Sequence, residues 1–501
     1  MYEILFIMLK QFKQVLLNNN NDSQIMVKNT FWLSISQIAS RTIRAIIVIY
    51  AARILGAHGY GVFSYALAII GLGSLFSDFG INRILIKEAS KSPLLRSQYI
   101  ATTLGLKLVL LSTITLIIIS LVPHFAKIPE AIPILPIMAV LFFSDGVRNF
   151  FYAMIRSVER MEWEAWLNTF VNTITVVISL GLIIVYRSPM ALAVAYALSS
   201  LIGTVVTMVV MRKDLTNLKT HFNKRMIPPL LLEIWPFALM NILWSVLVYT
   251  DTLMLGWMRT ASEIGIYAAA QRPVQLLLVV PAVIAGSALP LLSRLAHIHK
   301  EKFVSILEKT IAASMLLAFP LTIGGILMSR EIISFLYGPT YSSSAVILLT
   351  LISAFLITFP TFIIYHAIFA NDLQKKFIPH MFFSAITNIG LNLWLVPIYG
   401  ALGAAIATVT SQYLAYGWIY LALQKRINFI VWPMVYKALI ASIVMGLEIY
   451  LMKEWHVPFL IQLFVGATTY IAGLFVLKDP LIKWVLSTLQ SKMSPADNNT
   501  T

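Results

Sequence analysis

The chain predicts an all-α integral membrane protein of about fourteen transmembrane helices, and three observations carry that prediction. From Phe31 to Val476, apolar stretches follow one another, separated only by short polar or Pro/Gly-bearing connectors. Each has the ~20 residues that a helix needs to cross a hydrocarbon core ~30 Å thick. The chain is 59% hydrophobic and 12% charged, whereas soluble domains average about 25% charged. Its Lys and Arg residues also alternate in density from one connector to the next. With so little chain left outside the bilayer, transport or channel work ranks ahead of aqueous enzymology.

The expected spans are 31–52, 62–79, 100–121, 131–154, 164–185, 189–210, 229–254, 266–290, 304–328, 342–368, 377–397, 401–423, 433–452 and 457–477. With the N-terminus in the cytoplasm, 27 of the 37 Lys and Arg fall on the N-terminal side and alternate connectors. Seven lie opposite (Arg53, Lys127, Arg187, Arg259, Arg272, Arg330 and Lys453), while Arg41, Arg44 and Lys107 lie within spans. Positive residues mark the cytoplasmic side. Both termini are therefore expected inside a cell membrane crossed an even number of times. The net charge of +16 is then topological, and a nucleic-acid partner is not needed to explain it. The absence of cysteine removes disulfides, thiolate metal sites and cysteine nucleophiles.

Met1 to Leu17 is apolar but interrupted by Lys10 and Lys13, too short to span. It reads either as an interfacial helix or as an extension with Met26 as the true start. Near the other end, Asp479-Pro480 is a good helix start. Leu481, Ile482, Val485 and Leu489 form an apolar face there, so a short surface helix is expected before a disordered tail from Ser494.

The chain repeats itself weakly. Leu55-Gly56 followed by Gly59-Tyr60-Gly61-Val62-Phe63-Ser64 returns as Leu255-Gly256 followed by Gly265-Ile266-Tyr267-Ala268. Asn168 and Asn172 in the fifth span return as Asn388 and Asn392 in the eleventh, at the same one-turn spacing. Spans 1–6 and 7–12 thus read as two copies, parallel because six is even. Such repeats usually relate by an axis along the membrane normal, with a substrate cavity between them. The expected organisation is 1–27 as an N-terminal cytoplasmic extension, 28–224 and 225–430 as six-helix bundles, 431–478 as two additional helices, and 479–501 as interfacial helix and tail.

Several of these runs carry a family resemblance. Lys28 through Ile54-Leu55-Gly56, Gly59-Tyr60-Gly61-Val62-Phe63-Ser64 and Asp78-Phe79-Gly80-Ile81 to Lys87-Glu88-Ala89 resembles the opening of Wzx-type polysaccharide-unit flippases. Tyr249-Thr250-Asp251-Thr252-Leu253-Met254-Leu255-Gly256, Gly265 to Ala270 and Leu289-Pro290 are similar to the same family's second half. The resemblance covers about 27–480, leaving out the Asn-rich start. It implies the architecture shared with multidrug and toxin extrusion transporters and lipid II flippases. The cargo it implies is an isoprenoid-lipid-linked oligosaccharide, moved by alternating access for surface polysaccharide assembly. Other polysaccharide-synthesis membrane proteins become candidate partners.

Ionisable groups inside a bilayer cost several kcal/mol unless they face a cavity or a partner. Ser34, Gln37, Arg41 and Arg44 are spaced three, four and three, and so share one helical face. Against the family background the two arginines read as a cationic wall for a lipid carrier's phosphate, since a guanidinium fork binds phosphate oxygens bidentately. The alternative reading makes them helix-pinning partners of carboxylates such as Asp78, Asp145 or Asp251, and the cavity reading is preferred to it. Lys107 and Arg272 extend the cationic surface, although Lys107 is also placed to snorkel. Tyr267, Gln271 and Gln275 form a polar stripe suited to sugar hydroxyls or to interhelical bonding. Asp251 and Asp78 are candidate coupling sites for Na⁺ or H⁺, or acceptors for neighbouring donors. The four asparagines read as helix-joining residues, and Gly400, Gly403 and Ala404 as close helix packing.

No GxxxxGK[ST] occurs and no histidine set has metal-ligand spacing. No external connector is long enough for a catalytic domain. Neither an enzyme nor a cofactor is expected. A drug or metabolite exporter of the same fold is the alternative, against which the mid-span arginines speak, because cationic drugs call for an acidic cavity. A scramblase or structural partner of a synthesis complex is the third reading.

Overall fold

Backbone groups in hydrocarbon must be satisfied internally, and the described residues accordingly form helices and no strand. A computed structural model describes residues 22–92, 94–212, 221–296, 298–479 and 481; of 22–39, 41, 233, 235–237, 240, 241, 244 and 374–376 it describes the backbone alone. The interfacial segments expected before residue 22 and after 481 lie outside the described residues.

The long helices are α1 (Asp22–Asp78), α2 (Ile81–Lys91), α3 (Arg96–Ser120), α4 (Leu135–Ser157), α5 (Met161–Tyr186), α6 (Pro189–Val210), α7 (Ile227–Met258) and α8 (Ala261–Leu277). They continue as α9 (Val279–Leu295), α10 (Lys300–Leu327), α11 (Ser329–Tyr337), α12 (Ser344–Ser353), α13 (Phe355–Ala370), α14 (Gln374–Ile427), α15 (Trp432–Glu454) and α16 (Phe459–Val476). Among the described residues ten helical stretches are long and apolar enough to cross a membrane, or eleven when α12 and α13, bent by 44°, count as one. Their outward faces carry large apolar side chains such as Val177, Val185, Phe464 and Val476, each more than half exposed. Apolar faces of that extent on a soluble monomer would mark an interaction surface or an aggregation liability, so they fit lipid contact.

Two of the helices are far longer than one crossing, and each is broken by a glycine. Gly56 (φ 64, ψ 178) interrupts α1 and Gly400 (φ 58, ψ −133) interrupts α14, both in conformations open in practice to glycine. The sequence reading of Gly400 and Gly403 as packing residues is therefore incomplete, because Gly400 makes the turn itself. The repeated Leu-Gly pairs also diverge in role. Gly56 breaks its helix, whereas Gly256 lies within α7, where a Cβ would strike the Tyr65 ring.

The described residues up to Ala268 form one compact unit and those from Ala269 a second. Within the first, α1 and α8 cross at van der Waals limit. A Cβ on Gly61 would collide with the Ala261 carbonyl, and one on Gly265 with the Ala57 carbonyl. The contact is reciprocal, since 57 and 61 stand to each other as 261 and 265 do. Such exchange is the mark of a self-complementary, two-fold contact. In the second unit, α10 is central to a core that includes Leu307, Ile311, Ile363, Ala367, Tyr416, Ala438 and Met445. The final pair is packed into it: the Tyr470 hydroxyl donates to the Leu316 carbonyl at 2.5 Å, and a Cβ on Gly446 would press on Ile323.

Candidate functional site

Arg41 and Arg44 stand one turn apart on α1, ahead of the Gly56 break. The side chains of Gln37 and Arg41 lie outside those described, while their backbone is helical. Arg44 is exposed, and its Nε reaches the Ser40 carbonyl at 3.4 Å. Ser40 itself is fully buried, with its hydroxyl accepting from Asn168 Nδ2 at 3.1 Å. The arginine thus rises from a helix whose other face is pinned to α5 by a polar contact.

The three carboxylates that the sequence offered to these arginines all have donors of their own. Asp78, at the end of α1, accepts from Lys107 Nζ at 2.8 Å. Lys107 is 2% exposed and Asp78 26%, so the ammonium has left solvent and its charge is met by that one carboxylate. Asp145 accepts from Arg148 Nη2 at 2.5 Å, three residues along α4. Asp251 accepts from the Tyr267 hydroxyl at 2.5 Å, with both side chains buried.

Arg272, Gln271 and Gln275 lie in the second unit and are half-buried. Arg272 Nη1 donates to Gln275 Oε1 at 3.0 Å. Pro273 follows within the same helix; lacking an N–H, it leaves the Ala269 carbonyl without its usual helical donor. Tyr267 is wholly buried, so the stripe expected of Tyr267, Gln271 and Gln275 combines one enclosed phenol with two accessible amides.

The asparagine pairs behave alike along their own helices. Asn172 donates to the Asn168 carbonyl at 2.6 Å and Asn392 to the Asn388 carbonyl at 2.9 Å. Across helices they differ: Asn168 reaches Ser40 on α1, whereas Asn388 reaches Thr408 at 3.3 Å, beyond the Gly400 break.

Sequence reasoning missed a polar network in the first unit. Arg148 falls within the expected 131–154 span, and its side chain is buried within α4. Its Nη1 donates to the Ser200 hydroxyl at 2.9 Å and to the Ser200 carbonyl at 3.2 Å, and the Ser200 hydroxyl donates to Asp145. The signal was available, since a carboxylate and a guanidinium three residues apart share a helical face. Nearby, Arg156 and Glu164 clamp the α4–α5 connector with two bonds of 2.7 and 2.5 Å.

Comparison with known proteins gives this arrangement a lineage. The family model described as polysaccharide biosynthesis protein matches residues 26–296. The chain is 24% identical over 465 residues to the "Probable low-salt glycan biosynthesis flippase Agl15" of Haloferax volcanii, covering 88% of this chain and 93% of that one. A stretch of 169 residues, 33% of this chain, is 33% identical to the "Probable flippase AglR" of the same organism, where it spans 35% of that protein. Among solved structures, the lipid II flippase MurJ in an inward closed conformation superposes with a TM-score of 0.69 at 19% identity, covering 90% of this chain and 99% of that one. That likeness carries the fold alone: an all-helical architecture whose described helices include ten or eleven stretches long and apolar enough to cross a membrane. With the family model matching more than half its length, the chain belongs to the polysaccharide biosynthesis protein family.

Proposed function

We propose that the protein is a flippase, not an enzyme, that moves an isoprenoid-lipid-linked oligosaccharide from the inner to the outer leaflet by alternating access. The observation that carries this is the alignment of 88% of the chain with a protein named as a glycan biosynthesis flippase, in a chain of a polysaccharide biosynthesis family. The proposed body has fourteen crossings. Counting α1 and α14 as two each, on either side of Gly56 and Gly400, and adding α7 takes the eleven apolar spans to that number. A parallel duplication of six helices is supported by the reciprocal contact of Gly61 and Gly265.

Arg41 and Arg44 are the proposed phosphate ligands, with Lys107 and Arg272 as further cations. Two like charges one turn apart repel, and an anion between them removes the repulsion; the planar fork of Arg gives each two donors toward phosphate. Gln37, Gln271, Gln275 and Tyr267 are the proposed sugar contacts. Asp78 and Asp251 are the proposed coupling carboxylates for Na⁺ or H⁺. Each already accepts a hydrogen bond, from Lys107 or Tyr267, which a bound cation would have to displace.

The decisive experiment is the Arg41→Gln/Arg44→Gln double variant. It should abolish surface glycan export while leaving folded protein in the membrane, and Lys at both positions should restore export in part. Wild-type export from a stable double variant would overturn the assignment of the arginines. Loss of membrane expression or thermal stability in step with export would assign them to packing instead.

A further inference from the structure

Asp145 and Asn149 lie four residues apart, and so on one face, near the middle of the 23-residue helix α4. That helix leaves two faces uncovered. One carries Pro136 and Val140, both exposed, and is apolar. The other carries Asp145, whose side chain is 42% exposed, and Asn149, which is exposed as well. At 3.6 residues per turn, Asp145 and Asn149 stand about 140° and about 180° around the helix from Val140. An ionised side chain at mid-span is expensive against hydrocarbon, and such groups face a bundle interior or a water-filled cavity. The apolar face of α4 suits lipid. Its polar face, on the opposite side, then borders water inside the protein.

The carboxylate on that face is held in orientation. Its Oδ1 accepts from Arg148 Nη2 at 2.5 Å and from the Ser200 hydroxyl, and both partners are buried. Arg148 is fixed in turn by the Ser200 carbonyl at 3.2 Å, and one turn further along α6 the Thr204 hydroxyl donates to the Ser144 carbonyl at 2.9 Å. The second oxygen of Asp145, Oδ2, has no donor among the described residues. What it accepts should carry no positive charge, because the Arg148 guanidinium already balances the carboxylate and repels a second cation. A neutral O–H meets that condition, and a hydrogen bond to an ionised acceptor is stronger than one between neutral groups. Asn149 adds an amide about 5–6 Å further along the face. An amide both donates and accepts, as a hydroxyl does. A carboxylate and an amide at that separation match the hydroxyls around one sugar ring.

We infer that Asp145 and Asn149 form a sugar subsite on the transport path: Asp145 Oδ2 accepts from hydroxyls of an uncharged sugar, and the Asn149 amide bonds to their neighbours. Arg148 and Ser200 act through Asp145 as positioning residues. The inference rests on the flippase reading and extends its sugar contacts to α4.

Two measurements on the full-length protein test this. The first needs no cargo. In lipid nanodiscs a charged methanethiosulfonate reagent should modify Asn149→Cys and leave Val140→Cys unmodified, because the reactive thiolate forms in water. An Asn149→Cys as inert as Val140→Cys overturns the inference and leaves the flippase reading standing. The second compares, in detergent, the binding of a polyprenyl diphosphate that carries a neutral disaccharide with that of the same lipid without sugar. The wild type should favour the glycosylated lipid about tenfold. Asp145→Leu/Arg148→Met, which removes both charges together, should abolish the preference with the bare lipid's affinity unchanged. Asn149→Ala, at an exposed position, should cut the preference about threefold, and it stands as the test should the double variant not fold. Equal affinity of the wild type for the two lipids, or full preference in Asn149→Ala, overturns the subsite alone. Binding of neither lipid overturns the flippase reading, and the subsite with it.

Discussion

An ammonium taken out of water needs its counter-charge, and Lys107 has it in Asp78. Breaking a buried pair from one side is strongly destabilising, whereas replacing both partners with apolar residues is often close to neutral. Lys107→Met alone is expected to cost about 3–5 kcal/mol. Lys107→Met with Asp78→Leu should recover most of that, read by thermal unfolding of the purified variants. Were the double variant as stable as the wild type yet inactive in export, the pair would be serving transport rather than packing; export at wild-type level would make it structural. The sequence marked both residues as intramembrane charges, because a single ionisable group in an apolar run is visible in one dimension. It did not join them, since they lie 29 positions apart on different helices. The same boundary separates the Asn168–Asn172 spacing, which was legible, from the Ser40 hydroxyl that Asn168 finds on α1.

Helix lengths were legible because the bilayer imposes them: the expected 164–185 and 189–210 spans appear as Met161–Tyr186 and Pro189–Val210. What apolar periodicity does not carry is continuity across a connector. The first two expected spans run together as one helix broken only at Gly56, and the eleventh and twelfth join at Gly400. Both breaks occupy left-handed φ values, so Gly56→Ala and Gly400→Ala should each cost about 1–3 kcal/mol. Gly56 makes the cleaner test, because a Cβ there meets nothing within 4 Å and the loss is purely conformational. Gly286→Ala is the matched control. That glycine lies in helical backbone in α9 with open space around it, and alanine there should be neutral or stabilising by up to about 1 kcal/mol. Equal thermal stability of Gly56→Ala and Gly286→Ala would show that the break is not conformationally demanding.

Charge sorting along the chain predicts which ends of the helices share a side, and contacts between distant connectors agree with it. His58 and Glu130 lie 3.7 Å apart, and both belong to connectors sorted to the outside. Lys453 pairs with Glu331 at 2.8 Å, again joining two outer connectors. On the other side, Lys437 donates to the Lys478 carbonyl at 3.3 Å and the Ser90 hydroxyl to the Ser157 carbonyl at 3.3 Å. A single missed or surplus crossing between either pair of partners would put them on opposite faces of a membrane ~30 Å thick. These contacts support the alternation without saying which side is cytoplasmic; that rests on the excess of Lys and Arg. A chain with no cysteine allows a direct measurement of sidedness. Single cysteines replacing Arg96, Lys219 and Lys300 should be protected from an impermeant thiol reagent in intact cells and react after permeabilisation. Cysteines replacing Lys127, Arg259 and Lys453 should react without it. Arg259→Cys and Lys453→Cys each release a carboxylate, Glu263 or Glu331, from its ion pair. Each of these four side chains keeps a quarter to a third of its surface exposed, so both sites should be reachable by the reagent, and membrane expression of each variant checks that it is folded. Labelling of Lys219→Cys together with protection of Arg259→Cys would invert the orientation. It would also place the exposed Arg426 on the outer side.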